Sequence, residues 1–98
     1  MRIAVYCGSS LGNDPVHADA ARELGTLLAG AGIGLVYGGG NVGLMGVLAD
    51  AALAGGGEVI GVIPQALVDR EVAHKGCSQL HVTADMHERK ALMVEKAD

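Results

Sequence analysis

The chain has 98 residues, half of them apolar but with no Phe or Trp, so it can build one small core from Val, Ile, Leu, Ala and Met: one domain, or a piece of one. A formal charge of −4, with Lys and Arg residues that never form a run, gives no basic field for nucleic acid and leaves small molecules as the expected partners. No apolar run approaches membrane-spanning length, and Cys7 and Cys77 form no C-x-x-C pair; with no secretory leader, they read as reduced thiols of a cytoplasmic chain.

In chain order, strands alternate with helices. Residues 2–7 ("RIAVYC") are a short β-branched apolar run, as expected of a strand buried in a parallel sheet. A first helix follows, with Asn13 or Asp14 as its cap, Pro15 in its first turn and glycines at its end. Residues 33–38 ("IGLVYG") form the second strand, 43–54 the second helix and 58–63 ("EVIGVI") the third strand. A shorter connection beginning at Pro64 carries "QALVDREVA", and 79–82 ("QLHV") is a weaker fourth strand. A last helix starts near Thr83, with Asp85 and Glu88 at capping-box spacing. The βαβαβαβα order predicts an α/β fold, a Rossmann-like doubly wound parallel sheet, over residues 1–98 as a single nucleotide-binding domain.

Ligands of such sheets bind beyond the carboxyl ends of the strands, which selects the loops after Cys7 and Gly38. "CGSSLGN" offers hydroxyls and amides, including those of Gly8 and Ser9, and "GGGNVG" offers amides that no Cβ shields. The helix opening at Gly43 turns its N-terminal N–H groups and positive dipole end toward the second loop, so a phosphate is the expected ligand. Two phosphate motifs do not fit. Gly38, Gly40 and Gly43 match G-x-G-x-x-G, but the next strand ends in Ile63, Pro64 and Gln65 with no ribose-binding acid; Leu44 stands where a Walker loop needs Lys. The competing reading is that these glycines serve tight helix-to-sheet packing.

On the last helix, Met86, Met93 and Ala97 form one stripe and Glu88 and Glu95 lie opposite, with Arg89 and Lys90 flanking the stripe. Two cations bordering an inward face, beside two anion-ready loops, are read as substrate-binding or charge-stabilising groups rather than as side chains snorkelling to water. Glu71 could reach the same cleft. The four histidines lack metal-ligand spacing, and no metal is assigned.

"YCGSS", "YGGGNVGLMG", "GVIP" and "MHERKALM" together resemble the Lonely Guy (LOG) family of cytokinin riboside 5′-monophosphate phosphoribohydrolases, also labelled possible lysine decarboxylases; the resemblance runs along the whole chain. It implies a Rossmann-like homodimer that hydrolyses the N-glycosidic bond of a nucleoside 5′-monophosphate, a cytokinin riboside monophosphate or AMP, to free base and ribose 5-phosphate without a cofactor. By the same resemblance Arg89 would be catalytic, Lys90 and Glu71 would bind substrate, and Gly39, Gly40, Asn41, Gly43 and Met45 would line the pocket. The family's P-G-G-x-G-T-x-x-E segment, whose Glu works with the arginine, is not in the 98 residues. They are therefore expected to be the amino-terminal part of a longer protein, inactive alone, since glycoside cleavage builds oxocarbenium-like charge that calls for a carboxylate. The rival reading is a non-catalytic carrier of a nucleotide or of a phosphorylated cofactor such as molybdenum cofactor.

Overall fold

A computed structural model describes residues 1–6 and 15–98; Gly8 and Ser9, together with Cys7 and the capping candidates Asn13 and Asp14, lie outside the described residues. The elements are β1 (Arg2–Ala4), α1 (Pro15–Gly30), β2 (Gly34–Tyr37), α2 (Gly43–Ala54), β3 (Val59–Pro64), a 3₁₀ turn (Gln65–Leu67), β4 (Gln79–Thr83) and α3 (Met86–Lys96). All strand pairs are parallel, in the order β1-β2-β3-β4, with Ile3 opposite Leu35, Val36 opposite Ile60 and Ile63 opposite Val82.

Helices cover both faces, as a parallel sheet requires. Leu35, Tyr37 and Val59 point toward α1 and α2, where they meet Leu28, Met45, Leu48, Ala49 and Ala52. Their neighbours Val36, Ile60 and Val62 point to the other face and pack on Met93 of α3, with Ala4 and Leu92 alongside. β2 and β3 are buried at every position, which explains their continuous apolar sequences. β4 at the edge carries the polar residues Gln79 and His81 and is buried only at Thr83. Its pairing with β3 nonetheless runs over five residues, from Gln79 to Thr83, so the weakest expected strand is fully formed.

Two local features of α3 position the site. Asp85 caps the helix, its side chain accepting from the Glu88 amide at 2.8 Å, while Glu88 reaches back to the Ala84 amide at 3.3 Å. The helix also buries a different stripe from the one its methionines suggest. Met93 is 2% exposed but Met86 is 48% exposed, and the half-buried residues are Arg89, Leu92, Lys96 and Ala97. Arg89 thus lies inside the inward face rather than at its border, because the sheet offers polar partners beneath it.

Candidate functional site at the carboxyl ends of β2 and β3

Arg89 stands one turn into α3, above the ends of the two central strands. Its Nε donates to the Val62 carbonyl at 2.9 Å, and its Nη2 donates to the Gly38 carbonyl and to Glu71 Oε1, the latter at 3.3 Å. Nη1 carries only a long contact to Met86 Sδ at 3.7 Å, and the guanidinium borders a cavity of about 100 Å³ lined by Val5, Tyr6, Gly38, Met86, Lys90 and Met93. A planar fork with donors on two edges can hold two strand-end carbonyls and a carboxylate and still present an N–H outward; an ammonium cannot. Lys90 is exposed at the rim of the same cavity.

The glycine loop is held from three sides. The Gly38 carbonyl accepts from Arg89, the Gly39 carbonyl from the His74 amide at 2.8 Å, and the Gly40 carbonyl from the buried Tyr37 hydroxyl at 2.9 Å. With these three acceptors occupied, what the loop has left for a ligand is N–H, the polarity an anion needs. Gly39 and Gly43 have φ of 79° and 56°, values costly for residues with a Cβ. α2 begins at Gly43 after Val42, whose side chain makes no cap hydrogen bond to that end of the helix.

Packing also demands these glycines. A Cβ on Gly38 would stand 2.3 Å from Arg89 Nη2, and one on Gly40 would stand 2.7 Å from Met45 Cε and 3.0 Å from the Glu71 carbonyl. The space beside Gly38 and Gly40 is filled by the chain's own groups, so packing requires glycine at these two positions whether or not a ligand binds. Met45 is 2% exposed and packs in the α1/α2 core beneath the loop, whereas Asn41 is exposed and donates its amide to the Glu71 carbonyl at 2.9 Å.

Glu71 reaches the site from the connection after β3. Residues 71–74 run against the glycine loop, joined by the Asn41 amide bond, by an antiparallel bridge between Gly40 and Ala73, and by the His74 amide bond to Gly39. In sequence the histidines have no metal-ligand spacing and none of them is singled out; His74 is buried at 7% exposure and its Nε2 lies 2.7 Å from Asp50 Oδ1. The only hint was its position, three residues after Glu71. Nearby, burial pushes the Cys77 thiol above its usual range, against the weaker opposing effect of the Tyr37 hydroxyl. Among the described residues no group of three His, Cys, Asp or Glu side chains could hold a metal ion, and no helix is long and apolar enough to cross a membrane.

Three similarities bear on this arrangement. The cytokinin riboside 5′-monophosphate phosphoribohydrolase LOG1 of Arabidopsis thaliana is 50% identical over 97 residues, covering 99% of this chain and 46% of that protein. Among solved structures, the structural-genomics target TM1055 aligns with a TM-score of 0.73 at 23% identity, covering 99% of this chain and 55% of its own. The molybdenum cofactor (Moco) carrier protein of Chlamydomonas reinhardtii aligns with a TM-score of 0.70 at 24% identity, covering 89% of this chain and 51% of its own. At those identities the structures share the fold. The chain spans about half the length of the curated relatives it matches. Residues 45–98, more than half of the chain and including Arg89, Lys90 and Glu71, match the family described as possible lysine decarboxylase, and the chain belongs to that family, the LOG family of its curated relatives.

Proposed function

We propose that the chain forms the amino-terminal part of a nucleoside 5′-monophosphate phosphoribohydrolase, which cleaves the N-glycosidic bond of a cytokinin riboside monophosphate or AMP to free base and ribose 5-phosphate. The observation that carries this reading is Arg89, a guanidinium fastened through Nε and Nη2 to two strand ends on a side chain that lines a small cleft. A cation fixed before substrate arrives needs no reorganisation to stabilise charge that develops on a departing base or on a phosphate. Lys90 at the cleft rim adds a second positive charge for the substrate phosphate, and the glycine-loop amides other than that of Asn41, with those of Gly8 and Ser9, offer donors to it.

Glu71 contacts the substrate in this reading, its carboxylate aimed by Arg89. A cavity of about 100 Å³ holds a phosphate or a ring edge but not a whole nucleotide, whose sites typically span about 300 Å³ or more. The carboxylate that stabilises oxocarbenium-like charge would come from a P-G-G-x-G-T-x-x-E segment, and the active protein would be a homodimer.

The test is AMP binding by calorimetry and release of free adenine by chromatography, in this chain and in a chain extended through that segment. The expected result is weak binding and negligible turnover for the 98 residues, and turnover for the extended protein. Rapid adenine release by the 98 residues would remove the need for the further carboxylate. Tight binding by the extended protein without turnover would replace the enzyme with a carrier.

A further inference from the structure

We propose that His74 is a positioning residue: tethered to Asp50 on α2 and to the Gly76 amide, it holds a strained turn at Val72 and thereby sets the Glu71 carboxylate beside Arg89. Its value for ligand binding rests on the functional reading above; its geometry does not.

Two independent observations meet here. Val72 has φ of 49°, a left-handed conformation unfavourable for a β-branched side chain, and no other described non-glycine residue has positive φ. Such a conformation persists only where its surroundings over-determine it. Immediately before it, Glu71 is fixed through its carbonyl to Asn41 and through its carboxylate to Arg89. Two residues after it, His74 is fixed through its amide to Gly39 and through its ring to α2. Val72 itself is half exposed and packs too little to hold the turn.

The ring is held by two opposite contacts. The Gly76 amide donates to Nδ1 at 3.0 Å, so Nδ1 carries no proton; Nε2 then bears it and donates to Asp50 Oδ1 at 2.7 Å. Asp50 lies on α2, the helix that begins at Gly43, so the same side chain ties the Glu71 segment to the helix that follows the glycine loop. Removing the ring would leave the far side of the strained turn held by backbone bonds alone, with no tie to α2.

The experiment uses the intact 98-residue chain. Nitrogen-15 spectra of the His74 ring should show the Nε2–H tautomer; the Nδ1–H tautomer would overturn the assignment. Amide exchange at Asn41 and at position 74 should accelerate about tenfold or more in His74→Ala, as expected for loss of one or two partly buried hydrogen bonds, while Ile60 and Val62 exchange as before. Unchanged exchange at Asn41, or equal acceleration in the core, would make His74 an ordinary packing residue. His74→Gln, which can still donate to Asp50, should recover part of the protection. Asp50→Asn, which can still accept from Nε2, should recover most of what Asp50→Ala loses; if neither conservative variant exceeds its alanine counterpart, the tether is not what holds the turn. AMP titration adds the functional readout, with affinity falling in parallel with protection at Asn41. If the wild-type chain takes up no AMP, the functional reading fails and the tautomer and exchange results still decide the role of His74.

Discussion

Arg89 Nη2 lies 3.3 Å from Glu71 Oε1, with only 11% and 14% of the two side chains exposed. A charge pair this well covered is costly to break from one side, because the survivor keeps its charge without its partner. Arg89 therefore supports the fold as well as any chemistry.

Arg89→Ala would strip donors from the Val62 and Gly38 carbonyls and leave Glu71 uncompensated, a loss of about 3–5 kcal/mol from a domain whose total stability is of order 5–15. Arg89→Lys should recover only part, since one ammonium cannot reproduce bonds made by both edges of a guanidinium. Exposed Glu95, changed to Ala, is the control and should stay within about 0.5 kcal/mol of wild type. Urea unfolding of the three variants checks the order. In an extended, active protein, Arg89 should accordingly be compared with Glu95 only after correction for the fraction folded.

Gly38→Ala tests the same guanidinium from below. The added methyl would stand 2.3 Å from Nη2, so Arg89 must leave the Gly38 carbonyl or the loop must shift. Gly40→Val would press on the movable end of Met45 but also on the fixed Glu71 carbonyl. Both should lower the urea midpoint. Gly30→Ala at the end of α1, where a Cβ meets nothing within 4 Å, should raise stability by up to about 1 kcal/mol. A Gly40→Val chain with wild-type stability and lost AMP binding would return that glycine to ligand contact.

The legible parts of the fold were those governed by local chemistry. α2 spans residues 43–54 as expected because glycines bracket a segment rich in alanine and leucine, and Asp85 caps α3 because the capping box lies within four residues. β2 and β3 announced themselves by apolar runs that only a doubly covered sheet can bury. The connection after Pro64 was not legible, since Val72 carries no turn signal and adopts positive φ through contacts made by its neighbours. His74 was hidden for a related reason, its partner Asp50 being 24 residues away. The inward face of α3 was displaced by Arg89, a charge placed only at the border of the methionine stripe until Val62, Gly38 and Glu71 supply its partners. Likewise the glycine run suggested a ligand, and only the folded chain shows Arg89, Met45 and Glu71 competing for the same space.

Beside Tyr37, Cys77 offers a chemical readout of how closely the loop after β3 is packed. Its thiol is pushed above the usual range by burial, and the Tyr37 hydroxyl lies 3.6 Å from Sγ. Since the thiolate is the nucleophile, alkylation by iodoacetamide in a Cys7→Ser background should be slower at pH 8 than that of free cysteine, with its rise displaced to higher pH. Reaction at the free-cysteine rate would mean that the segment opens readily.

Acid should act through Glu58. Its carboxylate accepts from Arg2 Nε at 2.8 Å and from Nη2 at 3.2 Å, which holds it below the ordinary value of 4.5. The pair crosses the start of β2, where a Cβ on Gly34 would stand 2.7 Å from Glu58 Oε1 and 3.0 Å from Arg2 Cγ. A carboxylate depressed on folding contributes stability above its unfolded pKa and loses it as pH falls through the lower, folded value. The contribution is therefore present at pH 7 and declines progressively as pH falls below about 4.5. Glu58→Gln should lower the urea midpoint slightly at pH 7, and the difference from wild type should shrink as the pH is lowered from about 4.5 toward 3. The effect stays small because both side chains are more than a third exposed and solvent screens them. Gly34→Ala should push the two side chains apart and flatten the same pH dependence. A Glu58→Gln chain that remains equally less stable at pH 3 would assign the loss to packing rather than to charge.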